Sequence, residues 1–101
     1  MAKQSSIQKN LNRKKIVSKF DNKRKALKKE IMKRNLTMAE RFKLQSKLND
    51  LPRDSANIRV RNRCKITGRT RGVYRKFSLS RIKLRELTMN GSLPGMVKSS
   101  W

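Results

Sequence analysis

The sequence predicts a mainly α-helical protein with a small irregular β element, and three observations carry that expectation. No Gly or Pro occurs between Ser5 and Arg34, where apolar residues recur at helical spacings. All four Gly lie after residue 60, in a stretch dense in Arg. Hydrophobic residues make up only 35% of 101, against roughly 45–50% in ordinary globular domains, so a large private core is excluded. The expected organisation is a basic helical arm or hairpin over residues 1–50, a linker or extended segment over 51–60, and a compact unit over 61–101.

In the arm, Ile7 and Leu11, then Ile16, Val17 and Phe20, then Leu27 and Ile31 mark the first helix. The step from Leu11 to Ile16 breaks register and Asp21-Asn22 is able to cap a fresh start, so one rod and two helices bent near Phe20 are equally compatible with the pattern. Asn35-Leu36 ends it. Thr37-Met38-Ala39-Glu40 has the spacing of a capping box and predicts a second helix to about Asn49. Met38, Phe42, Leu44 and Leu48 are expected to pack back on the first helix as an antiparallel pair.

Pro52 ends that helix, and the polar residues of Leu51 to Asn57 are turn formers. Beyond them Arg59, Arg61 and Arg63 alternate with other residues, so an extended segment from Ile58 to Cys64 would put three guanidinium groups on one side. A tight turn at Cys64 to Gly68 and a return strand over Val73 to Phe77 complete a hairpin. Ser80 is the expected N-cap of a last helix from Arg81 to Met89, with Leu79 and Leu84 as a hydrophobic staple and Asn90-Gly91 as the stop. Its outer face carries Arg81, Lys83 and Arg85. Trp101 is expected to fold back on the compact unit or to stack on a partner.

Charge bounds the function. Twenty-nine Lys and Arg face six Asp and Glu, a net charge of +23, and such a chain calls for a polyanion whose counterions it releases. From Arg61 to Arg85 ten of 25 residues are basic and none is acidic. Residues 1–50 hold twelve Lys and four Arg, residues 51–101 four Lys and nine Arg. Lys is a hydrated point charge, whereas Arg offers a planar fork for phosphate oxygens and a face for stacking. The arm therefore reads as a diffuse electrostatic element and the second part as a fitted nucleic-acid contact. Candidate RNA-binding residues are Lys14, Lys15, Lys23, Lys25, Arg53, Arg59, Arg61, Arg63, Arg69, Arg71, Tyr74, Arg75, Lys76, Arg81, Lys83, Arg85 and Trp101.

Other classes fit poorly. With no His and six scattered carboxylates, the usual acid–base machinery is missing and no enzyme is expected. One cysteine, Cys64, permits no intrachain disulfide and suits a reducing compartment. No apolar run approaches the length of about 18 residues that marks a membrane span, and MAKQSSIQKN reads as a mature start. A membrane-active cationic helix is countered by the glycines in the most basic stretch. An architectural DNA-binding protein is the remaining alternative, although neither a helix-turn-helix nor a dimer seam is evident, and no homo-oligomer is expected.

Several stretches resemble one known family. LPRDS at 51–55, RNRC at 61–64, TGR at 67–69, RGVYRKF at 71–77, LSRIKLREL at 79–87 and the final KSSW are similar to small-subunit ribosomal protein fourteen in its long bacterial and organellar form. The likeness is dense over 51–101 and looser over the arm. It implies a zinc-ribbon-like compact unit, binding to 16S-type ribosomal RNA in the head of the small subunit, and the third, tenth and nineteenth small-subunit proteins as neighbours. The compartment would be a bacterial cytoplasm or an organelle interior. Zinc-binding members carry two Cys-x-x-Cys pairs, which fall here on Cys64, Thr67, Ser80 and Lys83. Only one is a thiol, so the resemblance is to the zinc-free form, and no cofactor is expected.

Overall fold

A computed structural model describes residues 2–100; the expectation for Trp101 lies outside the described residues. The protein is mainly helical, with α1 over Gln4–Ile31, α2 over Met38–Asn49, a two-stranded antiparallel ribbon of β1 (Val73–Tyr74) and β2 (Leu79–Ser80), and α3 over Arg81–Met89. Two compact units are formed, one by Lys9–Val60 and the other by residues 2–8 together with 61–100.

α1 is one uninterrupted helix. Asp21 does not restart it but pairs with Lys25 one turn on, an exchange that supports a helix rather than capping one. The apparent register break has a polar explanation. Asn10 is buried and Arg13 half-buried, whereas Leu11 is exposed, so the covered stripe runs through Asn10, Arg13, Ile16, Phe20, Arg24 and Leu27 at steps of three and four.

The residues after α2 explain why Arg stands in that stripe. In place of an extended linker, Arg53–Ser55 and Asn57–Arg59 form two 3-10 turns. Asp54 accepts from Arg13 Nε at 3.2 Å and from Arg59 Nη1 at 2.6 Å. Ser55, 1% exposed, accepts from Arg24 Nη1 at 3.0 Å and donates to the Pro52 carbonyl. Leu51 to Ser55 is thus a polar latch on α1, in which a buried hydroxyl keeps its hydrogen bonds as burial requires.

The capping box of α2 is complete. Thr37 N–H donates to Glu40 Oε2 at 3.2 Å and Glu40 N–H to Thr37 Oγ1 at 3.4 Å, together worth about 1 kcal/mol. The packing expected of α2 is only half made. Leu44 and Leu48 are partly covered, as is Arg41, but Met38 and Phe42 remain 80% and 75% exposed.

In the other unit the chain turns at Gly68, whose N–H donates to the Cys64 carbonyl at 2.9 Å. Its φ of +74° suits glycine. A Cβ there would also stand 2.6 Å from Ile7 Cδ1. Of the extended segment expected before this turn, residues 57–59 form a 3-10 turn and residues 60–64 are a loop and not a strand, so the ribbon instead pairs Val73 with Ser80 and Tyr74 with Leu79. Ser78, at φ 55°, closes its tight end. α3 begins and ends where the sequence places it, with Ser80 Oγ accepting from Lys83 N–H at 3.3 Å. Among the described residues, Cys64 and Leu79 are the buried hydrophobic side chains. No helix among them is long and apolar enough to cross a membrane.

Candidate nucleic-acid interface

The loop from Arg63 to Gly72 fixes its arginines through its own backbone. Cys64 N–H donates to the Arg69 carbonyl at 2.9 Å, and Arg81 N–H to the Gly72 carbonyl at 2.8 Å, which ties the loop to the start of α3. Arg63 Nη1 donates to the Gly68 carbonyl at 2.9 Å and Arg69 Nε to the Arg71 carbonyl at 3.1 Å. Both forks are thereby oriented while their remaining N–H donors stay unused by these bonds. The result is a cleft of about 460 Å³ in which Arg63, Arg69 and Arg71 are brought together with Thr67, Thr70, Ser80, Ala2 and Ile82. Among the described residues, none of those three arginines is ion-paired with a carboxylate.

A second concavity lies between α3 and the chain end. It gathers Tyr74, 52% exposed, with Arg81 and Arg85 beside Ile82, Met89, Met96 and Val97, and the tail adds Lys98. Lys98 was not among the residues that sequence reasoning selected. The signal for it was Pro94-Gly95: Gly95 has φ +74°, a turn residue ahead of the stretch that lines the groove.

The other expected contacts divide. Arg71, Arg75, Lys76, Arg81 and Arg85 are exposed in the compact unit, and Lys76 also lies 5.6 Å from the Phe77 ring centre. Lys83 is half-buried and paired with Glu86, one turn on, at 2.6 Å. Arg59 is held by Asp54 within a 3-10 turn, so the extended backbone expected at its position is not formed. Arg53 is exposed. On α1, Lys14, Lys15, Lys23 and Lys25 are exposed. At about 100° per residue they spread over roughly half of the helix circumference, the half away from the covered stripe.

The four positions that correspond to zinc ligands are close together but occupied with one another. Burial pushes the Cys64 thiol up, yet hydrogen bonds from the Thr67 hydroxyl and from the backbone N–H groups of Thr67, Ser80 and Ile66 outweigh it and bring its pKa down to about 6. Thr67 Oγ1 accepts from Arg69 N–H, Ser80 Oγ caps α3, and Lys83 is ion-paired. One thiolate, two engaged hydroxyls and an ammonium do not fit a zinc ion. Their hydrogen bonds instead close the turn directly. Elemental analysis of the purified protein is expected to find far less than one zinc per chain, and a stoichiometric content would overturn this account of the turn.

Comparison with known proteins identifies the family. The model of the family described as ribosomal protein S14p/S29e matches residues 47–100, which include the arginine loop, the ribbon and α3. The small ribosomal subunit protein uS14 of Mesorhizobium japonicum is 55% identical over 101 residues, covering all of both chains. Those of Pelagibacter ubique and Rickettsia felis are 54% and 56% identical over the same full length. The chain belongs to the S14p/S29e family of ribosomal proteins. Its role is accordingly structural and not enzymatic. The match of whole chains also places the Lys-rich helix α1 within the family pattern, where the sequence likeness had been looser than in the Arg-rich part.

Proposed function

We propose that this chain is a structural component of the small ribosomal subunit that binds 16S-type ribosomal RNA in the subunit head and supports its folding. The observation that carries the reading is the set of arginines without a carboxylate partner, some exposed and some half-buried, around two adjoining concavities of one compact unit, in a family member that matches its relatives end to end. Fixed guanidinium forks fit phosphate oxygens bidentately, and Tyr74 offers a ring for a base. The α1 lysines add attraction to RNA backbone that carries no sequence preference. The third, tenth and nineteenth small-subunit proteins are the proposed neighbours, and the bacterial origin of the relatives named above supports a bacterial-type ribosome.

Sedimentation tests the reading. The chain, tagged and expressed at low level, is expected to co-sediment with small subunits through a sucrose gradient and to stay with them in moderate salt. Recovery at the top of the gradient, or with DNA after ribonuclease treatment, would overturn it.

A further inference from the structure

The cleft beside the arginine loop is larger than a phosphate needs and is not uniformly polar. Its guanidinium groups come from Arg63, Arg69 and Arg71, but Ala2 and Ile82 contribute apolar wall, and Ile82 is 44% exposed. A volume of about 460 Å³ falls in the range of roughly 300–1,000 Å³ that holds a small organic ligand. Arg63 supplies a further indication: its Nη1 is satisfied by Gly68, while its Nε is buried with no hydrogen-bond partner in the protein. A buried charged donor left in this condition is costly, and an acceptor at the remaining N–H groups of the same guanidinium would offset part of that cost.

We propose that this cleft takes one nucleotide extruded from a single-stranded segment of RNA, with its phosphate on the Arg63, Arg69 and Arg71 guanidinium groups and its base against Ile82 and Ala2. The proposal rests on the RNA-binding reading above and adds the form in which RNA is held. A duplex presents its phosphates on a convex surface and would reach only the rim, whereas a splayed nucleotide brings base and phosphate together into a concavity. The directional groups of the cleft are largely committed. Ser80 Oγ caps α3 and Thr67 Oγ1 accepts from Arg69 N–H, so the site selects a flipped-out nucleotide by shape and charge and tolerates any of the four bases.

Small subunits reconstituted from purified components without this chain provide the probe, with the full-length protein added back. Thr70→Trp fills the cleft and removes no charge; Ser92→Trp adds the same bulk at an exposed position outside it. Wild-type protein is expected to protect one unpaired nucleotide from ribose acylation. Thr70→Trp should uncover that nucleotide, weaken association about tenfold and make the salt slope shallower by roughly 0.7, the share of the one phosphate that leaves the cleft. Ser92→Trp should behave as wild type. Ile82→Ala, a truncation of a partly exposed side chain, should uncover the same nucleotide even if Thr70→Trp misfolds. If wild-type protein binds but both cleft variants keep its affinity and footprint, the nucleotide site is wrong and the RNA reading stands. If wild-type protein does not bind these subunits, the RNA reading itself falls. Loss of a neighbouring protein with no newly reactive nucleotide would show that the cleft holds an acidic protein segment, which also overturns the proposal.

Discussion

Replacing Lys14, Lys15, Lys23 and Lys25 together by Gln is expected to weaken RNA association and to make its salt dependence shallower by about two to three units of log K against log salt. Each phosphate contact that releases counterions contributes roughly 0.7–0.9 to that slope. Four contacts would give more, but Lys25 already shares its charge with Asp21, which reduces its part. The four residues cover half the circumference of α1, so they do not form one face that a single RNA strand could follow. Their loss should therefore lower affinity for correct and incorrect RNA alike. A salt titration of binding to small-subunit RNA and to an unrelated structured RNA of equal length measures both effects.

The arginine side predicts the opposite signature. Arg63→Lys keeps the charge yet cannot hold the Gly68 carbonyl and an external oxygen with one planar fork, as Arg63 is placed to do. Assembly into the subunit should fall even at low salt, and the salt slope should barely change. Arg75→Lys is the cleaner comparison. Arg75 is exposed, so the substitution disturbs little inside the protein and reports the external contact. Normal assembly of both Arg→Lys proteins, combined with lost RNA selectivity in the Lys→Gln protein, would mean that binding is electrostatic throughout.

How far the sequence shows this architecture depends on the range of the interactions involved. The caps at Thr37 and Ser80 and the stop at Asn90-Gly91 act within one helical turn, and α2 and α3 lie where those residues put them. Asn10, Arg13 and Arg24 were not legible as inward-facing, because two of them are satisfied by Asp54 and Ser55, 41 and 31 residues away. The apolar pattern alone points to Leu11, which is 44% exposed. LPRDS was read as a boundary for the same reason: turn residues predict a turn, but not that it latches a distant helix. The arginines of the cleft were evident as charge. Its apolar wall was not, since Ala2 and Ile82 come from opposite ends of the chain and no local pattern joins them. Cys64 is a small buried residue; that its sulfur accepts hydrogen bonds follows only from the closing of the turn.

The isolated chain is expected to show no single cooperative thermal unfolding transition at physiological salt, and a helix content well below that of the folded structure. The buried hydrophobic side chains among the described residues, Cys64 and Leu79, both belong to the compact unit with the ribbon and α3. A fully buried large apolar side chain contributes about 1.5–3 kcal/mol, which is small beside about 1–2 kcal/mol per residue for fixing the backbone. In the other unit α1 is held by partly exposed ion pairs such as Arg13 with Asp54, each worth about 0–1 kcal/mol. Against these modest gains stands a net charge of +23, whose self-repulsion opposes any compact state. On the RNA-binding reading proposed above, RNA would remove that repulsion and order the chain at the moment of binding. Circular dichroism should therefore show helix content rising when small-subunit RNA is added, and also, more weakly, when sulfate is added to screen the charge. The sulfate response separates charge neutralisation from specific contact: if sulfate alone restores full helicity, repulsion was the main obstacle, and if only RNA does, the fitted arginine contacts are required as well. A sharp two-state transition of the free protein with full helix content would show that the small core and the polar latch suffice, and that folding does not wait for RNA.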